Sequence, residues 1–168
     1  MTVSIRKADL SDITTVQRLA HHTWRVHYPG IITREQIEYM LERGYSRDAL
    51  APFATDPTRG LALAEEEGEP LGFAAWYPPG EPATMKLDKL YVLPARHRSG
   101  IGRALIEHVA RVARSAGFRT LVLNVNRNNV GAVRAYERCG FAVRESGDFP
   151  IGNGFVMADY VMARPLDR

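Results

Sequence analysis

One cysteine, Cys139, stands in 168 residues, so no disulfide can form within the chain, and no paired Cys and His cluster marks a zinc site. A reducing, cytoplasmic setting is the expectation. No run approaches the roughly 18 apolar residues of a membrane span, and the opening MTVSIRKADLSD lacks the apolar core of a secretory signal. Neither a membrane partner nor a leader is expected. Repeats, low-complexity tracts and linkers are also missing, which predicts one domain over residues 1–168, and 45% hydrophobic content suffices to bury its core. Neither sign of charge dominates: 22 Lys and Arg against 19 Asp and Glu leave a net +3. That balance admits an anionic ligand but not the dense basic stripe of a nucleic-acid module.

What is present is a regular alternation of elements. Val3 and Ile5 alternate with polar neighbours and predict a strand over residues 2–7. Ser11 then serves as the expected N-cap of a helix carrying Ile13, Val16, Leu19, Ala20 and Trp24 inward. Thr33 and Gln36 have capping-box spacing before a second helix with Ile37, Met40 and Leu41 inward, stopped by Gly44. Ser46 opens a short third helix burying Leu50 and Phe53. Residues 61–79 read as a hairpin around Glu67-Gly68, and residues 84–93 as a strand closed by Pro94. A helix over 101–115, with Ile101, Ala104, Leu105, Val109, Val112 and Ala113 on one face, leads to the strand TLVLNV and to a helix from Val130 to Cys139. FAVRE and FVMADYVMA supply two last strands around a Gly- and Pro-rich loop. The order β-α-α-(α)-β-β-β-α-β-α-β-β predicts an α/β chain with a mixed sheet of about seven strands, parallel across the central helix.

The most informative stretch is LDKLYVLPARHRSGIGRALIEHV, a strand, a basic glycine loop and an amphipathic helix in succession. Gly100 and Gly102 let an anion approach the backbone closely. The first-turn N–H groups of the helix point outward without partners, and its dipole favours negative charge, so a pyrophosphate fits there. Arg96, His97, Arg98 and Arg103 surround it with donors. A dinucleotide-binding reading requires a third glycine where Leu105 stands, and the Walker pattern lacks its Gly-Lys-Ser/Thr ending.

These residues resemble the GCN5-related N-acetyltransferase family, in which Gln/Arg-x-x-Gly-x-Gly/Ala follows a Leu-Tyr-Val-like strand end. Residues 97–102 carry both glycines but place His97 first. The stretch NNVGAVRAYERCGF adds the family's Asn-x-x-Ala-x-x-x-Tyr spacing at Asn129, Ala132 and Tyr136. The resemblance implies the family's fold and acetyl-CoA as co-substrate, with no metal. It implies cofactor contacts from Leu90, Tyr91 and Val92 on the strand, from His97, Arg98, Ser99, Gly100, Ile101, Gly102 and Arg103 in the loop, and from Asn129, Ala132 and Tyr136. It makes Tyr136 the proton donor to the departing thiolate, since a phenol of pKa about 10 is protonated at neutral pH, and the Leu90 N–H an oxyanion donor if the strand splays from its neighbour.

Many relatives carry Glu where this chain has Lys86. Asp88, two residues on and by the strand period on the same face, is the candidate base or anchor of a water relay; His27, Asp148 and Asp159 are lesser ones. Trp24, Tyr28, Tyr45, Trp76 and Tyr77 are candidate acceptor-pocket walls. TWRVHYPGIITREQIEYMLERGYS and GFVMADYVM resemble the PaiA-like branch, which implies a small primary amine and directs attention to polyamines; a polyamine site needs carboxylates, and Glu35, Glu38, Asp148 and Asp159 lie in these and neighbouring segments, though solvated charge is their ordinary reading and the sequence does not bring them together. A protein N-terminus or lysine is the alternative acceptor, and a non-catalytic acyl-CoA sensor the alternative without chemistry. Edge strands at the C-terminal end make a homodimer a further expectation.

Overall fold

A computed structural model describes residues 2–167. Seven strands form one sheet: β1 (Val3–Lys7), β2 (Gly60–Glu66), β3 (Glu69–Tyr77), β4 (Thr84–Val92), β5 (Thr120–Asn126), β6 (Ala142–Gly152) and β7 (Phe155–Pro165), in the order β1-β2-β3-β4-β5-β7-β6. All neighbours run antiparallel except β4 and β5, which are parallel, as the intervening helix requires. Helices α1 (Ile13–His27), α2 (Arg34–Tyr45) and α3 (Arg47–Thr55) precede β2, α4 (Ile101–Ser115) joins β4 to β5, and α5 (Val130–Arg138) follows β5.

The sheet separates two apolar layers. On one face Ile13, Val16, Leu41, Leu50 and Phe73 pack α1 to α3 against it. On the other, Leu105, Val109 and Ala113 of α4 meet Leu87, Leu121 and Met162. Leu105 is fully buried, so truncation to Ala should cost about 2–5 kcal/mol. Arg164 of β7 grips Glu107 of α4 with two hydrogen bonds, 2.7 and 3.2 Å long, and ties helix to sheet.

Local chemistry departs from the sequence expectations at several points. Asp9, not Ser11, is the capping residue, and it caps a 3-10 turn at Leu10–Asp12 that leads into α1: its carboxylate accepts from the Ser11 N–H while the Asp12 carboxylate accepts from the Asp9 N–H, and α1 itself follows Asp12 without a side-chain cap. Thr33 accepts from the Gln36 N–H, but Gln36 donates instead to the Val156 carbonyl, so the capping box has one arm. Gly44 lies inside α2, where the last turn runs to Tyr45, and Ser46 ends α2 while capping α3. Met40 is half-buried. The buried stripe of α4 includes Ile106 and Ala110 rather than Ala104 and Val112, since α4 faces the sheet along the ridge 101-105-109 and its 106-110-113 flank. The expected loop between β6 and β7 is a continued hairpin with Asn153 and Gly154 at its tip, both at positive φ. Pro150 is accommodated because β6 is an edge strand and irregular at that point.

Candidate active site

The site begins at an irregularity in β4. Opposite β3, Trp76 faces Leu87 and Ala75 faces Lys89, which leaves Asp88 as an extra residue. Such a bulge bends its strand and sharpens its twist. Pairing with β5 stops beside it: only Thr84, Met85 and Lys86 face partners on β5, although both strands continue for several residues. β4 stays on β3 as far as Val92, β5 stays on β7 as far as Asn126, and the two part between them. Alternate backbone groups of residues 87–92 therefore face an opening instead of a ladder. That opening is a cleft of about 1070 Å³ passing between α1 and α2 on one side and α4 and α5 on the other.

Across one end of the cleft lies the start of α4. Gly100 caps it at φ 86°, a left-handed conformation that favours glycine, and it offers no side-chain acceptor to the first-turn N–H groups. Among the described residues a side chain at Gly102 would meet only Val92 Cγ2, at 3.8 Å, so the space beside it is open. Arg98, also left-handed at φ 65°, borders the same opening. These features fit a pyrophosphate with an extended arm lying along β4.

The structure brings most of the predicted residues together, in unequal roles. Leu90, Tyr91, Val92, His97, Arg98, Gly100, Gly102, Arg103, Asn129, Ala132, Tyr136 and Asp88 line the cleft. Ser99 and Ile101 do not: the Ser99 hydroxyl donates to the Arg96 carbonyl and braces the loop, and the Ile101 side chain is in the core. His97 Nε2 turns back to the Val92 carbonyl at 2.9 Å, and Arg96 is held by Glu66 at 3.2 Å. Arg103 donates to the Arg138 carbonyl at 3.1 Å, joining the start of α4 to the end of α5. His27 Nε2 donates to Asn129 Oδ1 at 3.1 Å, linking α1 to α5. Burial raises the Tyr136 phenol well above its ordinary value, so it keeps its proton.

Sequence reasoning placed Asp88 in the cleft but missed its partner. Lys89 Nζ donates to Asp88 Oδ2 at 2.9 Å, a pairing of chain neighbours that a regular strand would send to opposite faces. Lys89 is itself buried, with its ammonium 4.6 Å from the Tyr45 ring centre and 5.3 Å from that of Phe53. Nothing in the sequence marks Lys89 as the partner of Asp88, because the strand period sends the two neighbours to opposite faces. Trp24, Tyr28 and Tyr45 line the cleft as expected, whereas Trp76 packs against His108 and Tyr77 against Phe53.

The acceptor carboxylates do not gather. Glu38 pairs with Arg25 at the surface, Asp148 with Arg127, and Glu35 is exposed. Asp159 alone of the four lines the cleft. Among the described residues, three buried side-chain atoms lack a hydrogen-bond partner: Thr23 Oγ1, Trp24 Nε1 and Asp159 Oδ1. All three residues line this cleft, and buried polar atoms are rarely left unpaired without reason.

The family signature described as Acetyltransferase (GNAT) family matches residues 17–141. The chain belongs to that family. An uncharacterised N-acetyltransferase of Mycobacterium tuberculosis is 30% identical over 157 residues, covering 94% of this chain and 99% of its own. The spermidine N(1)-acetyltransferase of Thermoplasma acidophilum is 26% identical over 94% of this chain and 96% of its own. Among solved structures, the PaiA N-acetyltransferase of Thermoplasma acidophilum, in complex with coenzyme A, superimposes with a TM-score of 0.83 at 23% identity, covering 98% of this chain and 99% of that one. That likeness shows the GNAT fold. As a family member the protein is an acyltransferase, and acetyl-CoA is its acetyl donor.

Proposed function

We propose that residues 1–168 act as a single catalytic domain that transfers an acetyl group to a primary amine of a small molecule by direct attack. The observation that carries this reading is the split between β4 and β5, which joins a helix start without a side-chain cap to a pocket holding unpartnered polar atoms. Acetyl-CoA, when bound, supplies the activated thioester. First-turn N–H groups of α4 with Arg98 hold its pyrophosphate, the free edge of β4 orients its arm, and Asn129 borders it. The Leu90 N–H, on the part of β4 that has left β5, acts as oxyanion donor, an interaction worth roughly 3 kcal/mol. Tyr136 holds a proton at Oη, and because burial makes its full ionisation costly it acts by donating a hydrogen bond to the departing sulfur.

A small acceptor is favoured over a protein terminus or lysine by the roof of the pocket. Tyr39 donates to the Ile151 carbonyl at 2.9 Å and Gln36 to the Val156 carbonyl at 3.0 Å, so α2 and the β6–β7 hairpin close over that side. Spermidine heads the acceptor panel because a full-length relative bears that activity in its name. The single unpaired carboxylate in the pocket matches one ammonium, and monoamines belong beside it. The test is thiol release from acetyl-CoA across such a panel, with mass spectrometry of the amine. Stoichiometric thiol and acetyl-amine support the reading; acetyl-CoA binding without acetylation of any amine makes the protein a sensor and overturns it.

A further inference from the structure

Asp159 sits on β7 opposite Asn126 of β5, at the end of β5 that has parted from β4. It is 6% exposed. Asn124 Nδ2 approaches its Oδ2 at 3.4 Å, while Oδ1 has no partner. The titratable groups near enough to influence its charge are Lys86 from β4, Arg127 from the turn after β5 and Tyr28 from the end of α1. None of them forms an ion pair with it, and Arg127 is committed to Asp148 at 2.9 Å and to the Gly147 carbonyl at 2.8 Å. A carboxylate buried with a bare oxygen is costly to the fold. By contrast Asp88, the candidate base or relay anchor of the sequence, is occupied by Lys89.

Resting on the acetyltransferase reading, we propose that Asp159 is the catalytic residue that receives the acceptor's ammonium and accepts its proton. The ammonium R–NH3+ docks at Oδ1 and passes one proton to it, leaving neutral R–NH2 with a free lone pair and Asp159 as the carboxylic acid. As the C–N bond forms and the C–S bond breaks, the second proton shed by the nitrogen goes to the departing sulfur, giving the thiol, and the proton held by Asp159 returns to water between turnovers. Burial, the largest influence, raises the Asp159 carboxyl above the usual range, while Asn124, Lys86 and Arg127 oppose the shift. The direction suits a base that must hold a proton transiently.

The test compares wild type with Asp159→Asn, using spermidine and propylamine as acceptors. The variant should lose on the order of 100-fold or more in kcat/KM. The deficit should narrow as pH rises toward the amine's own pKa, where free base no longer needs an acceptor for its proton. Acetyl-CoA affinity should be unchanged. The variant's Tm at neutral pH should equal or exceed that of wild type, because the folded state no longer has to bury a charge. Equal kcat/KM, a deficit independent of pH, or loss of activity in step with Tm would each overturn the proposal. Independently of the variant, the Asp159 carboxyl 13C resonance of wild-type protein should move on addition of propylammonium; no movement overturns the docking role. Wild type that binds acetyl-CoA yet acetylates no amine removes the underlying reading, a failure distinct from the variant behaving like wild type.

Discussion

The two halves of the cleft are built by different means. The donor half is made of backbone: a helix start, a left-handed glycine and a strand edge that has left its neighbour. The acceptor half is made of side chains delivered from α1, α2, β4 and β7, parts distant in the sequence. Backbone sites need particular residues at fixed spacing along one segment, so Gly100, Gly102 and Asn129 are readable as a pattern. A pocket of converging side chains has no such spacing. Its members are found only when the sheet order is known, as Asp159 and Lys86 illustrate, joined through β5 although 73 positions apart by their numbers.

The sharpest test of this contrast puts a charge into the donor half. Gly102→Glu places a carboxylate where the anion should lie, and the helix tolerates the side chain because only Val92 Cγ2 is near. Acetyl-CoA affinity by calorimetry should fall on the order of 1000-fold with Tm nearly unchanged; retained affinity would remove the phosphate from this loop. Next comes Tyr136→Phe, which should lower kcat on the order of 100-fold and leave acetyl-CoA affinity intact. Unaltered turnover would exclude the phenol from the reaction.

Asp88→Asn probes the acceptor half from the opposite direction to Asp159→Asn. It strips a buried Lys89 of its counter-ion, so it should destabilise the fold by about 2 kcal/mol in urea titration. Adding Lys89→Met should return most of that loss. A neutral Asp88→Asn would mean that the ion pair does not hold the bulge. Smallest is Glu107→Gln, which breaks the contact between α4 and β7 and should cost under about 1 kcal/mol, since Glu107 is 43% exposed. Arg164 lowers the Glu107 carboxyl in the folded state. Wild type should hold this contribution above the ordinary glutamate range and lose it as pH falls through the depressed value, whereas Glu107→Gln should lack that acid-side loss.

How much the sequence revealed follows the same division. Element order was legible because glycines, prolines and apolar periods punctuate every boundary that matters, including Gly117 and Gly140 after α4 and α5. The caps were less so: Asp9 and Ser11 are both good capping residues, and only the geometry of the 3-10 turn selects Asp9. The bulge at Asp88 was invisible, since one extra residue leaves no mark on a strand as mixed as TMKLDKLYV. The strand period does not carry past it, and with that went any view of Lys89 as a buried partner. Whether the four acidic side chains converge was not legible either, because Arg25 and Arg127, which pair with Glu38 and Asp148, lie elsewhere in the sequence.

The claim on which the rest depends is that the parted edge of β4 and the start of α4 receive acetyl-CoA. Amide hydrogen exchange with and without saturating acetyl-CoA tests it at the atoms concerned. The account predicts new protection concentrated in residues 87–92 and 100–103, with β1, β2 and the outer half of β6 unchanged. Saturating acetyl-CoA that protects neither segment, or protects a different surface, would contradict it.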